Sequence, residues 1–491
     1  MTETIQIPPI DFSVILQPSI VFGWAIVLLL IDLFVPGDRK ALTGYLSLVG
    51  VLAAAVAGVP LLQPDSSTIP TFSNMIGLDN YGLALNWIFL AVAAITILIS
   101  LEYLPRHGIE RGEYYVLILF ATGSMQLLAQ GTDLIVLFLG LELLSLTLYV
   151  LAAFAYPRLS SEEAAMKYLL IGAFAAGFLV FGIALTYGAT GSSNLTVIYE
   201  KLANNQITAD ERSLLMIGAA LVLVGFGYKI AMAPFHMWTP DVYEGSPTPV
   251  AAFMSVGTKA AGFAALARIL LFALPTERDV WVPVLAVLAA LTMLVGNISA
   301  ISQRNVKRML AYSSIGHAGF ILMGVLSGNA RGVEGMLFYL IGYSLTNLAA
   351  FAVLITLERR GESAWDMDDL AGLWGRQRWL ALAMALCMLS LAGVPPTVGF
   401  IGKFYVFTAA WESGLGWLAL VGVIASAISA FFYLRIIAQM FMNEPVRDLR
   451  PIVDRGLSLG IGIATVGILV FGIIPTPVIE LAGRSVLALN R

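Results

Sequence analysis

Residues 379–411 read WLALAMALCMLSLAGVPPTVGFIGKFYVFTAAW, and the only charge among them is Lys403. An apolar run of about 20 residues is long enough to cross the hydrocarbon of a bilayer as a helix. Pro395-Pro396 interrupts this run. Proline has no backbone donor and clashes with the preceding turn, so the helix must break there. Backbone freed at membrane depth is tolerated only where it is buried in protein or lines a wet cavity. The stretch therefore predicts a membrane helix, a break within it, and a lysine seven residues beyond the break.

The same signal extends along all 491 residues. Fourteen apolar spans are expected, near 12–35, 41–63, 78–102, 113–130, 132–156, 163–190, 213–240, 248–274, 279–302, 308–327, 332–357, 379–411, 415–442 and 455–478. Gly and Pro punctuate the gaps, for example Pro36-Gly37, Pro105, Pro157 and Pro275. A β-barrel would show alternating strands of about ten residues, and none is visible. The longest polar connections, 191–212 and 358–378, leave no room for a soluble domain. The fold class is thus an all-α polytopic membrane protein.

Composition agrees and excludes several functions. Hydrophobic residues make up 59% and charged residues 12%, against about 25% charged in a soluble protein. A net charge of -4 is not the footprint of a nucleic-acid binder. One cysteine, Cys387, excludes a disulfide framework or a cysteine-held cluster. Three scattered histidines do not make a metal or haem site.

The 27 basic residues set the topology. Fifteen fall in alternate loops read as inside: Arg39, Lys40, Arg106, Arg111, Arg158, Arg304, Lys307, Arg308, Arg359, Arg360, Arg376, Arg378, Arg447, Arg450 and Arg455. Six fall outside: Lys201, Arg212, Arg278, Arg331, Arg484 and Arg491. An even number of spans then places both termini outside. No basic residue precedes the first span, so it does not read as a cleaved signal peptide. The reading is a multi-pass protein of a bacterial plasma membrane, surrounded by lipid.

The remaining six basic residues lie within spans: Lys167, Lys229, Lys259, Arg268, Lys403 and Arg435. Lys167, Arg268 and Arg435 fall near span ends, where a long side chain can snorkel to the headgroups. Lys229, Lys259 and Lys403 lie nearer the middle, where a charge costs about 2.5–3.5 kcal/mol on insertion scales. A lysine, unlike an arginine, can give up its proton when desolvated. Glu142, in LFLGLELLSLTLYV, is the matching acid, with Lys229 or Lys167 as its partner. A Glu–Lys pair whose geometry changes can load and unload a proton; a static pair would only pin two helices. His317, in AYSSIGHAGF, suits a proton relay or a plain bond to a neighbouring carbonyl. His236 reads as structural.

A second broken helix is expected in GYKIAMAPFHMWTP, where Pro234 follows Lys229 by five residues. Discontinuous helices beside ionisable residues mark ion-translocating folds. The breaks fall in spans 7 and 12, five apart, and a five-helix repeat must be inverted in the membrane. The expected organisation is an N-terminal three-helix segment (1–112), a first repeat of helices 4–8 (113–274), a second, inverted repeat of helices 9–13 (275–442), and a last helix (443–491). Lys229 precedes its proline whereas Lys403 follows its own, and spacing alone gives no reason for the difference.

FLGLELLSLTLYVL (138–151), EEAAMKYLLIGAFAAGF (162–178), GFGYKIAMAPFHMWTPDVYEGSPTPV (225–250), the run 296–320 and LSLAGVPPTVGFIGKF (389–404) together resemble the antiporter-like membrane subunits of proton-pumping NADH:quinone oxidoreductase, respiratory complex I. The resemblance covers nearly the whole chain. Lys403 in its run resembles subunit N, whereas subunit M usually has glutamate there. Subunit L extends into a long lateral helix, and this sequence stops soon after span 14. The resemblance implies a fourteen-helix fold with two inverted repeats. It implies a Glu142–Lys229 ion pair in a first half-channel, Lys259 and His317 on a central axis, and Lys403 at a second half-channel. Lys167 matches another lysine of the family. No cofactor would be held by this chain: NADH, FMN, Fe–S clusters and quinone would belong to partner subunits of the complex, including neighbouring antiporter-like subunits.

Three functions follow as expectations. The first is a proton-translocating subunit of the oxidoreductase, driven by quinone reduction elsewhere, and so an enzyme only as a non-redox part of a translocase. The second is an Mrp-type cation/proton antiporter subunit. The third is a structural spacer of the membrane arm.

Overall fold

A computed structural model describes residues 10–63, 67–359, 365–446 and 451–485. Arg360, Arg447, Arg450 and Arg491, assigned to sides of the membrane above, lie outside the described residues.

Sixteen helices carry the fold. They are α1 (Leu16–Asp32), α2 (Ala41–Ala57), α3 (Asn80–Ser100), α4 (Glu113–Gln130), α5 (Leu134–Ala152), α6 (Leu159–Thr190), α7 (Ala209–Lys229), α8 (Trp238–Gly245), α9 (Thr248–Ala273), α10 (Arg278–Ile301), α11 (Val306–Ser327), α12 (Ala330–Leu357), α13 (Arg378–Ala392), α14 (Val398–Glu412), α15 (Gly416–Met442) and α16 (Arg455–Ile473). Each of the fourteen expected stretches overlaps at least one of these helices; span 12 is divided into α13 and α14, and span 7 ends at the start of α8, which runs on past residue 240. Among the described residues, ten helical segments are long and apolar enough to cross a membrane by themselves. The expected ends shift by a few residues: the sixth span begins at Leu159, and the last helix stops at Ile473, before a separate short helix Thr476–Arg484. A small hairpin, Ile69–Thr71 with Ile76–Leu78, was not expected from the sequence.

Polar side chains start the helices where apolar sequence begins. Asp79 caps α3 by accepting from Gly82 N, Asp133 caps α5, Asn305 caps α11, Asn329 caps α12 and Asp454 caps α16. Thr208 and Glu211 form a reciprocal capping box at α7. Each side chain satisfies an amide that lipid could not.

Burial separates two classes of helix. Most residues of α3, α9, α11 and α12 are enclosed by protein, while α2, α6, α10, α15 and α16 turn large apolar side chains outward. Glycines let enclosed helices approach. A β-carbon on Gly296 of α10 would meet Gly316 N of α11 at 2.4 Å, and one on Gly182 of α6 would meet Gly218 O of α7 at 2.6 Å. Such small-residue contacts replace the hydrophobic drive that lipid removes.

Both broken spans end their first half with the same turn. After α7, Ala231 N donates to Tyr228 O and Met232 N to Gly227 O. After α13, Gly393 N donates to Ser390 O and Val394 N to Leu389 O. This is the Schellman pattern, which needs a left-handed residue; Ala231 has φ +61° and Gly393 φ +86°. The helices therefore stop at these turns, three residues ahead of Pro234 and Pro396. In this register Ala231 corresponds to Gly393, and Lys229 to Leu391.

A candidate proton path through the membrane helices

Lys229 is the last residue of α7 and is buried. Its amine donates to Ser145 Oγ on α5 at 3.0 Å and to the Tyr168 hydroxyl on α6 at 3.2 Å. Tyr168 is held by a stack on Trp238 of α8, ring centroids 4.6 Å apart. Glu142 stands three residues before Ser145 on α5, on the same side of the helix, and is half-buried. No hydrogen bond or ion pair joins its carboxylate to the lysine. The ion pair expected between Glu142 and Lys229 is not closed here, because hydroxyls take the ammonium's hydrogens.

Lys167 does not reach Glu142 either. It pairs with Glu163 at 2.8 Å and Asp241 at 2.9 Å, with 42% of its side chain exposed. Asp241 also pairs with Arg308, which bonds Glu244. Lys167 thus belongs to a surface network at one end of α6, α8 and α11. Two other expectations for span ends change. Arg268 does not snorkel: it is buried and grips both carboxylate oxygens of Asp79, at 2.9 and 2.7 Å, with its Nε on Ala129 O. Arg435 spends its guanidinium on Ile301 O and Gln303 O, at the end of α10.

Lys259 lies within α9, fully buried, directly after a π-helical turn, Met254–Thr258. Such turns inside α-helices are frequent at functional sites, and the same helix ends in a second one, Arg268–Ala273. Its amine donates to Ser314 O of α11. α9 lies close to the end of α7 because Gly262 faces Ile230; a β-carbon there would stand 2.6 Å from Ile230 Cγ2 and 3.8 Å from Lys229 Cβ.

His317 is one turn past Ser314. Its Nδ1 lies 2.7 Å from the Tyr339 hydroxyl and its Nε2 3.0 Å from the Tyr433 hydroxyl. Tyr433 also bonds Ser313. Both ring nitrogens are therefore engaged by groups that donate or accept. A cavity of about 10 Å³ is lined by His317, Tyr343, Ser390 and Leu391, about the room one water needs.

Lys403 stands on α14 and reaches back across the break. Its amine donates to Leu391 O and Ala392 O, each at 2.9 Å, and to Ser426 Oγ at 2.7 Å. The Phe320 ring lies 5.0 Å from it. The order of lysine and proline in the two breaks now has a physical reason. Lys229 ends its half-helix, and Lys403 brings its amine to the carbonyl of Leu391, the residue equivalent to Lys229. Both half-helices thus carry a lysine at the terminus where the dipole is negative. Among the described residues, no carboxylate lies within 4 Å of the Lys229, Lys259 or Lys403 amines.

Direct contacts join part of this series. Lys259 meets α11 at Ser314, His317 follows on α11, and its cavity is lined by Leu391, whose carbonyl receives Lys403. The sequence singled out the charged members but not Ser145, Tyr168, Tyr339, Tyr433 or Ser426. Hydroxyls are ordinary in membrane helices, so only their position identifies them. Among the described residues, no cluster of three or more His, Cys, Asp or Glu side chains is placed to hold a metal.

The sequence matches the family described as NADH:quinone oxidoreductase/Mrp antiporter, TM, over residues 131–429. It is 65% identical to NADH-quinone oxidoreductase subunit N 2 of Roseiflexus castenholzii, covering 99% of this chain and 98% of that protein. It is 58% identical to subunit N of Chloroflexus aggregans, covering 99% and 100%. The fold superposes on a chain of respiratory complex I from Thermus thermophilus with bound aureothin at TM-score 0.81 and 34% identity, covering 95% of this chain and 99% of that one. A chain of the Mrp complex from Dietzia sp. DQ12-45-1b shares the fold at TM-score 0.83 and 22% identity, covering 96% and 97%. The chain therefore belongs to the family of antiporter-like, multi-pass membrane subunits of NADH:quinone oxidoreductase, in its subunit N branch.

Proposed function

We propose that this subunit moves protons across a bacterial plasma membrane through Glu142, Lys229, Lys259, His317 and Lys403, driven by quinone reduction in partner subunits of complex I. The observation that carries the reading is that three buried lysine amines are held by hydroxyls and carbonyls alone, two of them at helix breaks. Such partners hold a charged or a neutral amine, so the proton is free to come and go. Closing Glu142 onto Lys229 would favour the charged lysine; opening would release it. The repeats of helices 4–8 and 9–13 would each supply one half-channel, supported by the matching Schellman turns. NADH, FMN, Fe–S clusters and quinone would sit in the other subunits, and both termini would face outward. Lys167, in its surface network, would feed the inner face or fix it.

The test is pumping by the assembled complex in vesicles. Lys229→Met and Lys403→Met are each expected to lower the proton-to-electron ratio, with the complex intact on a native gel. A normal ratio in both would overturn the proposal. Loss of assembly with a normal ratio in the remaining complex would favour the spacer reading.

A further inference from the structure

A second group of buried titratable side chains lies off this path, at the arginine-rich end of the molecule. Glu358, just past α12, is 1% exposed. Its Oε1 accepts from the Thr248 hydroxyl at 2.5 Å, and its Oε2 faces His107 Nε2 at 3.9 Å. His107 is oriented by its other nitrogen, 2.9 Å from Tyr103 O, and its ring stacks on Tyr103 at 4.0 Å. Tyr103 in turn accepts from Thr248 N. Lys307, fully buried at the start of α11, donates to Glu244 O and Ser246 O and lies 4.0 Å over the Trp365 ring. Arg106 and Arg158 are the further charges near His107.

Burying a carboxylate this deeply costs several kcal/mol unless it is paired closely. Here no lysine or arginine nitrogen lies within 4 Å of it among the described residues, and His107 Nε2 stands 3.9 Å away. A purely structural acid would be expected to close that gap. The position is also specific. Thr248 is the first residue of α9, and Lys259 lies on the same helix, about 16 Å further along at 1.5 Å per residue. Just ahead of Thr248 in the chain, Tyr243 OH and Ser246 Oγ are buried without a hydrogen-bond partner in the protein, as is Oγ of Ser314, whose carbonyl holds Lys259. A second polar line starts two turns along α9 at Ser255, which accepts from Asn347. Asn347 also donates to Tyr343, whose ring is 5.0 Å from His317.

We propose that Glu358, with His107 on its outer side and Thr248 on its inner side, takes up protons for the axis from the arginine-rich face. The proposal rests on the proton-relay reading above. A proton from the medium binds His107 Nε2 and passes to Glu358 Oε2, leaving a neutral imidazole and a neutral acid. The acid then releases its proton inward past the Thr248 hydroxyl to neutral Lys259, restoring the carboxylate. Burial holds the His107 pKa below its ordinary value, so the ring passes a proton on and does not keep it.

Four variants of the whole complex test this in vesicles, with proton-to-electron ratio, native gel and the solvent deuterium isotope effect as readouts. Glu358→Gln keeps the bond to Thr248 but carries no proton; its ratio is expected to fall to that of Lys259→Met. Glu358→Asp is expected to restore the ratio, and His107→Gln to slow pumping several-fold with an enlarged isotope effect. A normal ratio in Glu358→Gln, with a lowered one in Lys259→Met, overturns the proposal and leaves the relay reading standing. Absence of both Glu358 variants from the native gel makes Glu358 a structural anchor and overturns it too. A normal ratio in Lys259→Met counts against the relay reading itself.

Discussion

Gly393 shows how narrowly the second break is specified. Its φ of +86° is left-handed, and a β-carbon on it would stand 2.8 Å from Lys403 Cδ. Gly393→Ala is expected to cost about 1–2 kcal/mol from the backbone alone, and to push the Lys403 stem off its seat. The purified complex should melt earlier and pump less per electron. Buried and exposed ion pairs should also differ sharply. Asp79→Ala leaves Arg268 charged and enclosed, a loss of about 3–5 kcal/mol. Glu412→Ala removes only a partner of exposed Arg331, worth about 0–1 kcal/mol. Native-gel yield should drop for the first and hold for the second. At this scale the sequence exposes what is costly. A lysine inside an apolar run is visible because the bilayer penalises it, whereas Ser145 or Tyr433 carries no such penalty and leaves no mark. Arg268 was misjudged for a related reason: its acid, Asp79, lies 189 residues away in sequence.

The spans were legible as elements because hydrocarbon demands length and apolarity together. Their interruptions were less so. Proline marks the neighbourhood of a break, but the half-helices end at the left-handed residues Ala231 and Gly393, and alanine gives no sign of that. The π-helical turn before Lys259 is likewise silent, since one extra residue per turn changes no composition. Helix contact makes a sharper prediction. Gly262 lets α9 approach the end of α7, and an added β-carbon would stand 2.6 Å from Ile230 Cγ2. Gly262→Ala should cost about 1–3 kcal/mol by overpacking, read as a lower melting midpoint. Gly177→Ala on α6 has open space around it and should be neutral or stabilising by up to about 1 kcal/mol.

For the whole molecule, the enclosed helices α9, α11 and α12 carry Lys259, His317 and Tyr339, while Tyr433 reaches His317 from α15, one of the helices that turn apolar side chains outward. Orientation is open to direct test, because the only cysteine, Cys387, is buried. In right-side-out vesicles, an impermeant maleimide should label Asn204→Cys at once and Ser302→Cys only after permeabilisation. The reverse pattern would invert the topology. Distance is the remaining problem for the proposed function, under which redox chemistry in other subunits would have to be felt here. Lys403 shows one form the coupling can take. Its ammonium has three hydrogens and three acceptors: two carbonyls of one half-helix and a serine on α15. A neutral amine has two hydrogens and a lone pair, so under the proposed relay each proton that leaves rearranges this set and removes one bond from Lys403 to the half-helix or to Ser426. If the relay reading holds, occupancy would be written into the angle of a hinge, and by reciprocity a distant strain that bends the hinge would pull on the proton.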